Sequence, residues 1–106
     1  MSKYMFTANY TADGVKGLQK AGAASRVAAI SDMCQGLGGS LESFHFAFGE
    51  SDAFVICDLP DDTAAAAAAF TVGASAATTV VTTKLLTVEE ADAALGRSVA
   101  YRPPGN

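Results

Sequence analysis

Two side chains in one predicted hairpin, His45 and Asp52, are the strongest candidates for acid–base chemistry. His45 is the only histidine of the chain, and an imidazole changes its charge near neutral pH. If Ala47 pairs with Asp52 across the turn, His45 and Asp52 become diagonal neighbours on one face of the sheet. The carboxylate would then orient the imidazole and raise its basicity, which suits a general base. A register shift of one residue would place them on opposite faces. The alternative to a catalytic pair is a structural histidine and an aspartate that stabilises the turn.

Aromatic side chains are the second group of candidates, because they could line a pocket for a small apolar ligand. The predicted ligand-binding residues are Tyr4, Phe6, Phe48 and Tyr101. The phenols of Tyr4, Tyr10 and Tyr101 could each place a polar tip in such a pocket. The alternative for all of them is packing in the core or in a subunit interface.

Carboxylates come together at one point of the sequence, where Asp58 precedes the pair Asp61 and Asp62. Three carboxylates could hold a hard cation, but Asp61 and Asp62 also suit the start of a helix, where they cap free amides. One histidine and two separated cysteines form no recognisable zinc site. The glycines of residues 36–39 follow a helix and precede a strand, the reverse of a phosphate-binding loop. We therefore predict no metal and no organic cofactor.

The two cysteines, Cys34 and Cys57, fall in a predicted helix and a predicted strand. Their spacing matches no CxxC motif, and the N-terminus lacks the apolar stretch of a secretion signal. We predict two buried free thiols. The alternative is a disulfide or a redox pair.

The charge of the chain argues against several classes of partner. The net charge is −4, and the lysines and arginines are scattered, whereas binding to nucleic acid needs concentrated positive charge. A membrane surface is disfavoured for the same reason, and we expect a cytoplasmic protein. Charged residues make up only 17% of the chain, below the usual quarter, which fits a surface partly hidden in an interface.

The pattern of apolar residues predicts four strands with helices between them. Alternation marks the strands, and apolar residues at helical spacing mark the helices. The predicted strands cover residues 3–10, 41–48, 53–59 and 79–86; helices are predicted in two pieces between residues 15 and 35, from Asp61 through the alanines 64–69, and from the Thr87–Glu90 capping box to Leu95. This β-α-β-β-α-β order is the ferredoxin-like α+β arrangement, with the first and third strands in the middle of an antiparallel sheet. Residues 1–96 are predicted to form the domain and residues 97–106 an extended tail.

Apolar side chains project from both faces of this predicted sheet. On the third strand, Phe54 and Ile56 lie on one face, and Val55 and Cys57 on the other. The helices of such a fold cover one face only, so the second face would meet water. Another copy of the chain could cover it by packing sheet against sheet. We therefore predict a homodimer or a higher homo-oligomer.

The chain resembles the GYD-domain family of small bacterial and archaeal proteins, which is named for a Gly-Tyr-Asp signature. The resemblance covers most of the chain and rests on GG at 38–39, FAFGESD at 46–52, LPDD at 59–62 and the tail SVAYRPPG at 98–105. It implies a ferredoxin-like chain that pairs into a dimeric α+β barrel, and almost nothing about activity. Gly49 and Asp52 match the signature, but Ser51 occupies the place of the tyrosine, so the role of that phenol does not transfer.

Three functions fit these observations. The first is a small-molecule binding or sensing protein with its ligand between the sheet and the partner copy. The second is a cofactor-independent isomerase or oxygenase that uses His45 as general base on an apolar substrate; this rests on analogy of fold. The third is a structural or assembly protein. A cavity beside His45 would favour the enzyme, a cavity without a coupled acid–base pair the binder, and solidly packed sheet faces the assembly protein.

Overall fold

The computed structural model describes all 106 residues of the chain. It is an α+β fold in which helices cover one face of a four-stranded antiparallel sheet. The strands are β1 (Ser2–Tyr10), β2 (Ser40–Phe46), β3 (Ala53–Leu59) and β4 (Thr78–Leu85). The helices are α1 (Ala12–Ala21), α2 (Ala23–Gly36), α3 (Asp62–Ala74) and α4 (Val88–Leu95). None of the four helices has the length and apolar character needed to cross a bilayer.

The strands lie in the order β2-β3-β1-β4, and every neighbouring pair is antiparallel. The central position of β1 and β3 confirms the prediction. Because α1 and α2 both lie between β1 and β2, the order is the ferredoxin-like β-α-β-β-α-β arrangement with its first helix in two pieces. The short α4 follows the last strand.

Local signals in the sequence set the helix boundaries. The Asp61 side chain accepts a hydrogen bond from the Ala64 amide at 2.8 Å, which begins α3. Thr87 and Glu90 form a reciprocal capping box with two 3.0 Å hydrogen bonds. Gly22 separates α1 from α2 with a φ of 89°, a conformation that glycine adopts without steric penalty. The capping residues predicted at Asp61 and Thr87 are thereby confirmed.

The core lies between the helices and one face of the sheet, which we call the helix face. It consists of alternate residues of β1 and β3 with the inward residues of α2 and α3, namely Tyr4, Phe6, Ala8, Ile30, Cys34, Ala53, Val55, Cys57, Leu59, Ala65 and Ala68. The small side chains of Ala65 and Ala68 let the α3 backbone approach the sheet closely. Since α2 packs mainly on β2 and α3 mainly on β4, each helix covers one half of the sheet.

The opposite face of the sheet, which we call the open face, is covered by no helix. The register places His45 beside Phe54, Phe54 beside Thr7 and Thr7 beside Val81, so one row crosses all four strands. Val81 is 67% exposed and Phe54 40% exposed. The apolar residues of this face are Met5, Phe54, Ile56, Val81 and Leu85. As the sequence predicted, the strands therefore carry apolar side chains on both faces.

The ion pairs of the open face lie at one end of its strands, at the start of β1 and the end of β3. Lys3 of β1 forms ion pairs with Glu42 of β2 and with Asp58 of β3, the latter at 3.0 Å. Glu42 reaches Lys3 from a bulge in β2, where the register shifts between Leu41 and Ser43. Among the strand residues farther along this face, His45 has the only acidic or basic side chain.

Strand β2 is shorter than predicted. It ends at Phe46, and Phe48 lies fully exposed in the turn before β3. The alternation of Phe44, Phe46 and Phe48 continues past the end of β2. In this register Phe48 would pair with Ser51, and only Gly49 and Glu50 lie between them. These residues form the turn itself, so Phe48 has no residue of β3 to pair with.

Two glycines fix the start of β2. Gly38 has a φ of 86°, and a Cβ added at Gly39 would lie 2.0 Å from the carbonyl oxygen of Asp58. The backbones therefore approach at Gly39 more closely than any side chain would allow.

The C-terminal arm, residues 86–106, extends away from the sheet. Helix α4 buries none of its residues, and Leu95 and Tyr101 are exposed. The radius of gyration is 16.8 Å, whereas a compact chain of this length would have about 13 Å. Residues 97–106 contain no helix or strand.

Candidate functional site

The hairpin has the register that the His45–Asp52 hypothesis requires. The Ala47 amide donates to the Asp52 carbonyl oxygen at 2.8 Å. The Asp52 carboxylate, however, accepts a hydrogen bond from the Tyr10 amide at 2.9 Å, and the Asp52 amide donates to the Ala8 carbonyl oxygen at 2.9 Å. Through these two hydrogen bonds, Asp52 holds the β2–β3 turn against the end of β1. His45 is exposed on the open face, and its catalytic pairing with Asp52 stays a prediction.

The four aromatic residues predicted to bind a ligand lie in three different places. Tyr4 and Phe6 are buried on the helix face. Phe48 lies in the β2–β3 turn and Tyr101 in the C-terminal arm, both exposed. Of the four, Phe6 lines the cavity described next. The structure does not bring the four together, and their shared role stays a prediction.

A small apolar cavity lies on the helix face between α2 and α3. Its volume is about 30 Å³, and eleven of its thirteen lining residues are hydrophobic. Phe6 and Val55 form its floor on the sheet, Ile30 lines it from α2, and Ala68 lines it from α3. The volume matches one water molecule or one methyl-sized group.

A larger open cleft adjoins this cavity between α1 and α2, beside the start of β4. Its volume is about 270 Å³. Its walls are mostly small residues, among them Gly17, Ala21, Gly22, Ser25 and Ala29. The cleft exists because these residues leave the space between the two helices unfilled; a Cβ added at Gly17 would meet no atom within 4 Å.

Arg26 lies where the cavity and the cleft meet. It lines both, together with Tyr10 and Thr78. Its guanidinium carbon is 5.9 Å from the centre of the Tyr10 ring, within the range of a cation–π contact. Its Nε atom is buried and has no hydrogen-bond partner. A buried donor of this kind is unfavourable until an acceptor reaches it.

Comparison with known families decides the relationship of this chain. The model of the GYD domain family matches residues 4–95. The chain belongs to the GYD domain family. The resemblance that the sequence indicated is thereby confirmed. Comparison with curated proteins and with solved structures gave no match.

Sequence reasoning did not single out Arg26 of this GYD domain, although a signal for it is present. Arg26, Ile30 and Met33 are spaced as i, i+4 and i+7, so they share one face of α2. That spacing places a charged side chain in line with core residues, next to Tyr10. The gap between α2 and α3, which places Arg26 at a cavity, cannot be predicted from the sequence pattern.

A second polar cluster holds Tyr4 of the GYD domain against α3. The Tyr4 hydroxyl donates to Asp62 Oδ1 at 2.6 Å, and Lys84 Nζ lies 2.9 Å from the same oxygen. The hydrogen bond from Tyr4 and the interaction with Lys84 lower the pKa of Asp62. The same hydrogen bond raises the pKa of Tyr4, because loss of the phenol proton would break it. The donors and the acceptor satisfy one another, so the cluster fits a structural role in docking α3 on β4.

The two cysteines meet in the core of the GYD domain. Cys34 of α2 and Cys57 of β3 are both fully buried, free thiols, as predicted. The Cys34 thiol donates to the Cys57 Sγ across 3.1 Å. Burial, reinforced by this contact, raises the pKa of Cys57, which keeps the thiol protonated and unreactive.

The three carboxylates considered for a cation each have a partner within the protein. Asp58 pairs with Lys3, Asp61 caps α3 through the Ala64 amide, and Asp62 pairs with Tyr4 and Lys84. No group of three or more histidine, cysteine or acidic side chains could hold a metal ion. These aspartates therefore have structural partners that account for their placement.

Proposed function

We propose that this GYD domain is a small-molecule-binding protein that acts as a homo-oligomer. The ligand occupies the helix side of the sheet, and a second copy covers the open face. The observation that supports binding is the apolar cavity that adjoins an open cleft, with three lining residues in common.

The dimensions of the site suit a small ligand. The cleft of about 270 Å³ approaches the lower end of the roughly 300–1,000 Å³ of ligand pockets. The adjoining cavity is lined almost entirely by hydrophobic residues, and Tyr10, Arg26 and Thr78 supply the few polar groups. A mainly apolar lining with a small set of polar groups is the composition expected of a binding pocket.

The open face supports the oligomeric part of the proposal. Met5, Phe54, Ile56 and Val81 lie along its middle, and its ion pairs lie at one end of the strands, where Lys3 pairs with Glu42 and Asp58. An apolar surface without unpaired charge suits a second copy of itself, because a two-fold axis brings identical patches together. The space between two such sheets, beside His45, is a further location for an apolar ligand in the assembly.

Filling the cleft tests the binding proposal. Gly17→Leu puts a side chain into open space, so the helix can form while the cleft is occupied. Gly73→Leu is the matched control, since Gly73 lies in α3 and a Cβ there also meets open space. The probes are benzoate, benzamide and toluene at about millimolar concentration, with the backbone amide shifts of the cleft followed by NMR.

We expect at least one probe to shift the amides of Gly17, Ala21 and Gly22 in the wild type and in Gly73→Leu. The shifts should disappear in Gly17→Leu. A wild type whose cleft amides respond to none of the probes would overturn the proposal.

A structural or assembly role is the second candidate, and the C-terminal arm favours it. Leu95, Val99 and Tyr101 are all exposed, and α4 contributes nothing to the core of its own chain. Apolar residues on a projecting segment are typical of contacts between subunits. The arm would then extend the assembly beyond the pair of sheets.

A further inference from the structure

We infer that the cleft and cavity bind a small carboxylic acid with an apolar body, and that the guanidinium of Arg26 holds the carboxylate. This inference rests on the proposed function, since it names the ligand class of the same site.

The position of the guanidinium is the first step. Ile30 and Met33, one and two turns along α2, lie on the same face and line the cavity. Arg26 therefore extends from the hydrophobic side of its helix, and its charged end lies at the boundary with the cleft. A cationic side chain at the border of an apolar chamber is costly unless an anion pairs with it.

The missing partner is the second step. The ion pairs of the chain involve Lys3 and Lys84, so no carboxylate of the protein neutralises Arg26. Its buried Nε has no acceptor, and the Tyr10 ring contacts the guanidinium through its face only. A guanidinium offers parallel N–H donors that match the two oxygens of a carboxylate. A ligand carboxylate at this boundary would satisfy the unpaired donor.

The orientation of the ligand is the third step. The other charged side chain that lines the cleft is Asp13, in the first turn of α1. It repels a negative group at its own end, so the acid binds with its carboxylate at Arg26 and its apolar body along the small residues of the cleft. The cavity of about 30 Å³ accepts no more than a methyl-sized branch. The site therefore favours a small aromatic or branched monocarboxylate over a dicarboxylate.

The test compares benzoate, its neutral analogue benzamide and the dicarboxylate terephthalate at neutral pH. The Nε–H signal of Arg26 in a ¹H–¹⁵N NMR spectrum reports directly on the proposed contact. Arg26→Gln removes the charge, and Arg97→Gln is the control, because Arg97 is exposed in the C-terminal arm. Circular dichroism establishes that each variant is folded; if Arg26→Gln is not, Arg26→Met, which also removes the charge, replaces it and should lose the same preference.

We expect benzoate to shift the Arg26 Nε–H signal and to bind about tenfold more tightly than benzamide, the effect of one charge-assisted hydrogen-bonded pair. Terephthalate should bind more weakly than benzoate. The preference for benzoate should vanish in Arg26→Gln and persist in Arg97→Gln.

Two outcomes overturn the inference, and they can be told apart. If benzamide binds the wild type as tightly as benzoate without moving the Arg26 signal, the carboxylate assignment is wrong while the proposed binding function stands. If no probe shifts any amide of the cleft, the binding function falls as well.

Discussion

The two faces of the sheet differ in how they are completed. Alternate residues of the same strands supply both, for example Val55 on the helix face and Phe54 on the open face. The helix face is closed by α2 and α3 and becomes a core with a cavity at Arg26. The open face has comparable apolar residues and no cover from its own chain. The comparison shows that alternating strands can give both faces of a sheet an apolar surface. The connections between the strands then determine which of the two faces the helices of the same chain cover.

The largest expected effect concerns the open face. Val81→Lys places a charge in its central row, and burial of that charge against a second copy would cost several kcal/mol. We expect the wild type to sediment as a dimer or larger species at micromolar concentration and Val81→Lys to sediment as a folded monomer. Phe70→Lys is the control, because Phe70 is also largely exposed but lies on α3, on the helix side. A wild type that sediments as a folded monomer would remove the oligomeric part of the proposal and leave the helix-side site untouched.

Two substitutions on β3 compare how much the helix face and the open face contribute to the free energy of unfolding. Leu59 is fully buried on the helix face, so Leu59→Ala should lower the free energy of unfolding by about 2–5 kcal/mol. Phe54→Ala, on the open face, should cost a dilute monomer about 1 kcal/mol, because much of that side chain is already in water. Its cost should grow with protein concentration if a second copy covers it.

Urea unfolding at a low and a high protein concentration measures both effects. A Phe54→Ala loss that is the same at every concentration would argue that the open face stays bare.

The smallest effect concerns the pH dependence of the helix-face core. Burial raises the pKa of Cys57 above its usual value of 9.0, so above about pH 9 the unfolded chain releases a proton that the folded chain keeps. The stabilising contribution is complete below pH 9 and is lost as the pH rises, by at most about 1.4 kcal/mol per pH unit. The free energy of unfolding of Cys57→Ala should fall less steeply than that of the wild type from pH 8.5 to 10. Equal slopes would contradict the assignment.

Much of this architecture could be predicted because it depends on local rules. The strand alternation gave the faces of Tyr4 and Phe6, and capping at Asp61 and Thr87 gave the helix starts. The sequence left the hairpin register open between two alternatives, and the structure has the one in which Ala47 pairs with Asp52. These features depend on neighbours in the sequence or on the period of a strand.

The site itself was less predictable, because it depends on distances between elements. The Asp52 carboxylate could turn to His45 or to β1, and the free Tyr10 amide at the end of β1 accounts for its orientation. The contact of Cys34 with Cys57 depends on how α2 settles on β3. The cavity at Arg26 depends on the spacing of two helices that are far apart in the sequence.

The close approach at Gly39 has a consequence for variation among relatives. A Cβ at Gly39 would lie 2.0 Å from the Asp58 carbonyl oxygen, so even alanine would push β2 away from β3 and disturb the strand that bears His45. Natural variants and designed libraries should accept changes at the exposed residues 48–50 of the turn after β2, but none at Gly39. The absence of a side chain at Gly39 is thus what allows the edge strand β2 to pair with β3 at this point.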